Sequence, residues 1–398
     1  MSKFRLQPTV GQVHALLGLC RHARYVWNLA VEQHAYWTPD RLSAPGYLEQ
    51  ARQLTEARSA SEWLRAGSQM VQQQALRDFS QAMTNYFAGT HGRPTWRKAG
   101  VHEGFRIVAF NPAHLRRLSK NTGAVRVPKV GWVKFRWSRL PAAASSYRIT
   151  LDRSDRWHIA FAAVPSAIPA PGNRRVVGID RGVAVTAALS TGELLCTPKP
   201  RPTELRRLKR LQRRMARAKA GSNRRKRLKL GIARILARQA DRTNDWVEKA
   251  TTTLARSVDI IRIEALRVKS MTRSARGTLA RPGRGVRRKS QLNRAIRANC
   301  WAKFAQRLQD KAPGRVEEVK AAFTSQTCHR CGHVAAENRK SQAVFRCTAC
   351  GHVDHADVNA AKNIAAGHAV TARGGRPMGR PVNREPHRST SRSVVVPG

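Results

Sequence analysis

The chain has 398 residues, 75 of them Lys or Arg against 24 Asp or Glu, for a formal net charge of +51. Such an excess repels itself unless a polyanion neutralises it, and nucleic acid is the expected polyanion, because phosphate contacts supply most of the affinity of basic proteins. There is no apolar run near the roughly 18 residues a membrane span needs. The opening MSKFRLQPTVGQ lacks a signal core, so no membrane partner and a cytoplasmic location are expected. Charge alone fits a plain basic RNA-binding protein equally well.

In chain order, 8–37 is predicted as a helix: Leu16, Leu19, Ala23, Val26 and Ala30 recur at helical spacing behind Thr9 as N-cap. A second helix is predicted over 61–88, with Trp63, Met70, Ala75, Phe79, Met83 and Phe87 on one face. Between 105 and 164 the pattern changes to alternation, as in VRVPKVGWVKFRW and YRITLDRSDRWHIAFAAV, which predicts short strands and hairpins. Pro165, Pro169, Pro171 and Gly172 mark a linker. Beyond it, VVGIDRGVAVTAALSTGE reads as strand, turn and strand. Residues 203–250 form a basic helical hairpin broken at Gly221-Ser222-Asn223, with sixteen Lys or Arg and one acid, Glu204, between 201 and 240. One charge sign over such a length favours a polyanion-facing surface over an ordinary solvated face. SVDIIRIE (257–264) is a strand ending in an acid, 273–291 a flexible basic loop, 292–312 a helix, 316–323 a strand and 357–366 a short Ala-rich helix. The Arg, Pro, Gly and Ser tail at 367–398 is expected to be disordered.

Cys328-His-Arg-Cys331 and Cys347-Thr-Ala-Cys350 are fifteen residues apart. Two such knuckles can supply four thiolates to one tetrahedral zinc, a closed and therefore structural site. Gly332 and Gly351 suit the tight turn after each knuckle. His329, His333 and His352 lie nearby, but four thiolates complete the coordination sphere, so these imidazoles read as surface residues.

In a chain so short of acids, their positions are informative. Asp180 ends the apolar run VVGI, Glu264 ends IIRI, and Asp357 opens the helix DVNAAKNIA. Strand ends and a helix start are places from which a fold can converge carboxylates on magnesium at one sheet edge. Each also fits a simpler role: Asp180 a turn residue, Glu264 a helix start or an arginine's partner, Asp357 an N-cap. Their order in one series with the cysteine module favours the convergent reading.

That series resembles the TnpB proteins of insertion sequences, relatives of type V CRISPR effectors. The resemblance runs from FRLQPTVGQ and CRHARYVWNLAVEQ through QQQALRDFSQAMTNYF, RPTWRK, VGIDRGV, RLKRLQRRMARAKAGSNRRKR, IRIEALRVKSM and LNRAI to TSQTCHRCGHV and NRKSQAVFRCTACGHVDHADVNAAKNIA, spanning roughly 4–366. It implies an α/β plus β fold. Residues 1–172 would form a β-barrel-like wedge domain with a helical recognition insertion near 10–100. Residues 173–366 would form a RuvC (RNase H-like) nuclease domain, with the basic segment 203–250 and a zinc ribbon near 324–353 on Cys328, Cys331, Cys347 and Cys350. Asp180, Glu264 and Asp357 stand at the positions of the three RuvC acids, holding two magnesium ions; Asp354 is a second acid near the third. Asn359 and Asn363 are candidates for orienting that helix start. RTNDWVEK places Glu248 where the family commonly has His.

The implied function is RNA-guided DNA cleavage next to a short adjacent motif. A guide RNA from the transposon end would pair with the target strand, with double- and single-stranded DNA as partners. The chain would act as a monomer with its RNA, in a prokaryotic cytoplasm and associated with the nucleoid. The adjacent motif would be read by the N-terminal segments, with Arg52, Arg58, Arg77 and Tyr86 as candidates. A catalytically silent guided DNA-binding regulator and a strand-transfer transposase are the alternatives.

Overall fold

The computed structural model describes residues 2–36, 44–108, 110–139, 144–163, 166–320 and 322–367. Pro165 and the tail from 368 therefore lie outside the described residues. The chain opens with β1 (Ser2–Gln7) and α1 (Val10–Ala35). Thr9 caps α1 reciprocally with Gln12, satisfying amides that have no partner in the helix. Three helices follow, α2 (Tyr47–Ala60), α3 (Glu62–Ala66) and α4 (Gln69–Phe87). The single helix expected over 61–88 is thus two. The break falls at Gly67, where a Cβ would lie 2.6–2.8 Å from the Gln72 and His22 side chains. Helix α2 was not expected, because it buries only Gln50 and Leu54 and shows little apolar periodicity.

The alternating region gives β2 (Gly104–Val108), β3 (Leu115–Arg117), β4 (Thr122–Val127), β5 (Gly131–Arg136), β6 (Ser146–Leu151) and β7 (Trp157–Phe161). With β1 they make a seven-stranded sheet in the order β2-β6-β7-β1-β5-β4-β3. Alternation sends Phe4, Val133, Phe135, Ile149, Ile159 and Phe161 to one buried face. Phe4 meets Phe135 and Phe161 edge to face at centroid distances of 5.5 and 5.8 Å. Helices α1 to α4 are inserted in the chain between two strands of this sheet.

Next come β8 (Val176–Asp180), β9 (Ala187–Leu189), β10 (Leu194–Leu195), α5 (Pro202–Ala216) and α6 (Asn223–Ser257). The turn between α5 and α6 contains Gly221 at φ 79, and Ser222 caps α6 by accepting from the Arg225 amide at 3.2 Å. Then follow β11 (Ile260–Glu264), α7 (Val268–Met271), α8 (Val286–Ala298), α9 (Trp301–Lys311) and β12 (Val316–Val319). Helix α8 begins inside the expected basic loop: VRRKSQ is polar enough to read as coil, yet Asn293 and Ile296 are buried further along. The chain ends with β13 (Val344–Arg346), β14 (Val353–His355) and α10 (Ala356–Ala366).

Two compact units result. The first comprises Met1–Arg174, Cys196–Asp259 and Ser274–Val316. In it α6 packs on α9 through Trp246 and Phe304, with stacked rings 5.8 Å apart. Glu248 of α6 is held by Arg307 at 2.8 Å and Lys311 at 2.9 Å, so its carboxylate ties two helices together. The second comprises Arg175–Leu195, Ile260–Arg273 and Glu317–Gly398 and centres on a five-stranded sheet, β10-β9-β8-β11-β12. Among the described residues no helix is long and apolar enough to cross a membrane.

Candidate active site

In the second unit, β8 and β11 pair in parallel with Ile179 opposite Ile263. Each strand ends one residue later in an acid, so Asp180 and Glu264 are neighbours at the carboxyl edge of the sheet, where α/β folds place their sites. Helix α10 lies directly on β8. Gly178 allows this approach: a Cβ there would stand 2.0 Å from the Ala361 carbonyl oxygen and 2.4 Å from the Ala365 amide. Ala360 and Ala361 are the small residues of α10 that complete the contact, and both are buried. The packing brings Asp357, in the first turn of α10, beside the strand ends. The N-cap is His355, whose Nδ1 accepts from the Asp357 amide at 3.2 Å. The carboxylate of Asp357 is therefore not spent on capping.

Asp180 and Glu264 feel each other and the charge of Asp357. Burial is the largest cause pushing the Asp180 carboxyl far above the usual range, followed by the charge of Glu264, a hydrogen bond with it, and the charge of Asp357. Glu264 is raised too, again chiefly by burial. Like charges brought together out of water disfavour each other's ionised form, a cost that a bound cation relieves. Three converging carboxylates, two of them buried, have the chemistry of a hard divalent cation site. The donors fit magnesium in kind. Asp354 lies elsewhere: its carboxylate takes Lys362 at 2.7 Å.

Two arginines that the sequence did not single out flank the trio. Arg339 Nη2 donates to Asp357 Oδ1 at 2.8 Å. The buried Arg181 guanidinium donates to the Glu264 carbonyl oxygen, bracing β11 from the residue after Asp180. The arginine in RCGHV…NRK carries no local signal for its role, because it reaches Asp357 from eighteen residues away in sequence only through the folded cysteine module.

The four cysteines converge. Cys328 Sγ is 3.8 Å from Cys350 Sγ, and Cys331 Sγ is 3.6 Å from Cys347 Sγ. A tetrahedral zinc with bonds of about 2.3 Å sets its sulfurs roughly 3.8 Å apart, so this quartet fits the ion. The knuckles are near copies. The Cys328 amide donates to the His333 carbonyl at 2.9 Å and the Cys347 amide to the His352 carbonyl at 2.8 Å. Gly332 and Gly351 adopt φ 75 and 70, the left-handed turn conformation that glycine takes without strain. Against the upward pull of burial, the amides of Cys350 and Ala349 and the neighbouring thiols lower the Cys347 thiol to about 7.

Asn359 and Asn363 of α10 fasten this module to the helix that carries Asp357. The Asn359 amide donates to the Thr327 carbonyl at 2.7 Å and its oxygen accepts from the His329 backbone at 3.1 Å. Asn363 donates to the carbonyls of Thr324 and Thr327 at 2.8 and 2.7 Å.

The candidate motif readers in the first unit divide. Arg58 is spent internally on the Leu64 carbonyl, at 2.7 Å, and on the Gln72 side chain. Arg52 pairs with Glu49 on an exposed surface. Tyr86 is 38% exposed beside Phe87. Arg77 lines a cavity of about 440 Å³ in which Arg97, Arg106 and Arg148 surround one carboxylate, Asp78. Arg97 lies over the Trp27 ring at 3.6 Å, and burial lowers it to about 10.

Comparison with known proteins decides the family. Residues 158–275 match a family described as a probable transposase, OrfB_IS605, and 301–364 match the Cas12f1-like TNB domain. InsQ of Escherichia coli (strain K12), provisionally named an RNA-guided DNA endonuclease, is 35% identical over 394 residues, covering 96% of each chain. The chain belongs to the TnpB family. A Streptomyces pristinaespiralis protein with the same provisional designation is 30% identical to this TnpB chain, over 98% of it and 96% of the relative. In fold, the TnpB chain resembles the Cas12f1 protein solved as a complex with sgRNA and target DNA, with a TM-score of 0.50 at 14% identity, over 89% of this chain and 82% of that one. That likeness places it among type V effector folds of mixed α and β content.

Proposed function

We propose that this TnpB chain is an RNA-guided DNA endonuclease of a transposable element, cutting target DNA next to a short adjacent motif. The convergence of Asp180, Glu264 and Asp357 from two strand ends and a helix start carries this reading. Two buried acids, Glu264 and Asp357, beside the half-buried Asp180 are costly unless a cation uses them. The five-stranded sheet with α10 would be the RuvC domain, and the seven-stranded sheet with α1 to α4 the wedge domain and its recognition insertion.

Asp180, Glu264 and Asp357 would hold two magnesium ions. Bound there, magnesium supplies a lowered pKa for the attacking water and charge stabilisation for the leaving 3′ oxygen. The protein's own groups prepare that chemistry. Parallel pairing fixes Asp180 against Glu264, Gly178 lets α10 deliver Asp357, and Arg181 holds the end of β11 in place. Arg339 balances Asp357 and keeps its carboxylate oriented. Cys328, Cys331, Cys347 and Cys350 would hold one structural zinc, and Asn359 and Asn363 transmit its rigidity to α10.

Guide RNA from the transposon end and both single- and double-stranded target DNA are the partners assigned to the basic surfaces. Helix α5 is exposed or half-exposed along its length, which suits phosphate contacts made without disturbing a core. Base pairing with the guide would select the sequence, while the protein reads heteroduplex shape and the adjacent motif. The active species would be a monomer with its RNA in a prokaryotic cytoplasm, associated with the nucleoid.

The test is co-expression with the native element end, followed by incubation of the purified complex with magnesium and a plasmid library carrying randomised flanks. The expected result is guide-dependent cutting beside one enriched motif. Guide-dependent protection without cutting would assign a silent regulator instead. Joining of labelled transposon ends without guide dependence would assign a strand-transfer transposase.

A further inference from the structure

Beside the four thiols the cysteine module carries a second cluster of ligand-type groups. His329 follows the first cysteine of the first knuckle, His352 follows the glycine of the second, and Asp354 lies on β14. One donor atom from each of these three side chains lies within 4.8 Å of the others. The imidazoles of His329 and His352 meet edge to face at a centroid distance of 4.7 Å.

Two details separate this cluster from an accidental group of surface residues. His352 Nε2 is buried and, among the described residues, has no hydrogen-bond partner; its nearest carboxylate oxygen, Asp354 Oδ2, stands at 3.7 Å. A buried ring nitrogen without a partner costs free energy unless something binds it. His329 is already oriented as a ligand. Asn359 donates through its amide to the Thr327 carbonyl at 2.7 Å, so the oxygen of that side chain faces His329, where it accepts from the backbone amide and from Nδ1, each at 3.1 Å. Nδ1 therefore carries the proton and Nε2 keeps its lone pair. A histidine whose second nitrogen donates to a carbonyl oxygen is the arrangement that tunes metal-binding imidazoles.

We propose that His329, His352 and Asp354 form a second metal site on the cysteine module, taking a transition-metal cation such as Zn2+, Co2+ or Ni2+. Two imidazoles and one carboxylate select such ions over magnesium or calcium, which prefer oxygen. Bonds of about 2.0–2.2 Å hold donors roughly 3.4 Å apart, so the three side chains close by about an ångström on binding. Lys362 is the competitor. Its ammonium stands 2.7 Å from Asp354 Oδ2, and its side chain is 33% exposed, so it can leave for solvent when an ion arrives. The ion would clamp the first knuckle to β14 and detach Lys362 of α10 from Asp354.

The test is cobalt titration of the full-length, metal-stripped protein, with excess magnesium present to occupy the carboxylate trio. The first equivalent should give intense thiolate-to-cobalt charge-transfer bands. A second equivalent should add weaker ligand-field bands without further thiolate absorption. His352→Ala and Asp354→Asn should each remove the second phase and leave the first. Lys362→Met should tighten the second phase by about tenfold, a gain that loss of folding cannot mimic; tenfold corresponds to about 1.4 kcal/mol. A single phase in the wild type, or a second phase that survives in His352→Ala and is unmoved in Lys362→Met, would overturn the proposal.

Discussion

The four cysteines and the three acids of the second unit are gathered in opposite ways. The cysteine quartet is local: two knuckles of one design, closed by short-range backbone hydrogen bonds, with sulfurs already near tetrahedral spacing. The carboxylate trio is assembled from segments far apart in the chain and depends on the packing of α10 against β8. The quartet is a finished site that would hold its ion permanently. The trio is an electrostatically loaded site, with Asp180 and Glu264 both raised, chiefly by burial, and Arg339 paired with Asp357. The cysteine quartet is built from spacing, whereas the proposed cutting site needs the tertiary fold.

Damage to the quartet should have the largest effect. Cys347→Ser should cost most of the zinc-binding free energy, on the order of 10 kcal/mol in comparable small zinc modules. Zinc content should fall and amides over 324–353 should exchange rapidly, while the seven-stranded sheet stays protected in hydrogen exchange. Retention of protection in the cysteine module would show that it folds without metal.

Gly178→Val is the matching lesion for the trio. A side chain there drives into the backbone of α10, and overpacking of this kind costs about 3 kcal/mol or more. Guided cutting should be lost while the bound zinc remains. If cutting survives, the approach of α10 does not set the position of Asp357.

Asn363→Ala tests the link between the two clusters. It removes one donor from the carbonyl of Thr324 and one of two from that of Thr327, which keeps Asn359, and should cost about 1 kcal/mol, read as faster exchange in α10 with the zinc still bound. An unchanged exchange profile would mean that the module and the helix are coupled by other contacts.

Glu248→Gln is the smallest change and serves as a control in the first unit. Burial raises the Glu248 carboxyl, but hydrogen bonds and charge from Arg307 and Lys311 outweigh it and hold the group at about 2, below its ordinary 4.5. A depressed carboxyl contributes stability that is fully present above the unfolded value and is lost as pH falls through the folded one. The wild type should therefore lose this contribution between pH 4.5 and about 2, and the variant should not. The side chain is 44% exposed, so solvent screening limits the effect to about 1 kcal/mol or less. A larger effect, or loss of cutting, would give Glu248 a role beyond joining α6 to α9.

What could be read from sequence follows the same division. The knuckles declare themselves by spacing, and the two strand-end acids by the apolar runs before them. Alternation announced the strands of the N-terminal sheet. Helices α2 and the start of α8 escaped because their surfaces are polar and periodicity had little to report. The break at Gly67 is set by His22, a residue distant in sequence. Arg339 on Asp357, Arg181 on the Glu264 carbonyl, and the orphaned nitrogen of His352 exist only once separate segments meet.

The most direct test of the central claim is cleavage of a guide-matched target by the purified complex carrying Asp357→Asn, beside the wild type, with zinc content, RNA content and target binding measured on the same samples. Zinc, RNA and target binding should be unchanged while the cleavage rate falls by about 10³-fold or more, several kcal/mol of lost transition-state stabilisation. Cutting at near wild-type rate by Asp357→Asn would contradict the claim, and would mean that the three acids gathered at the edge of the sheet do not form the cutting site.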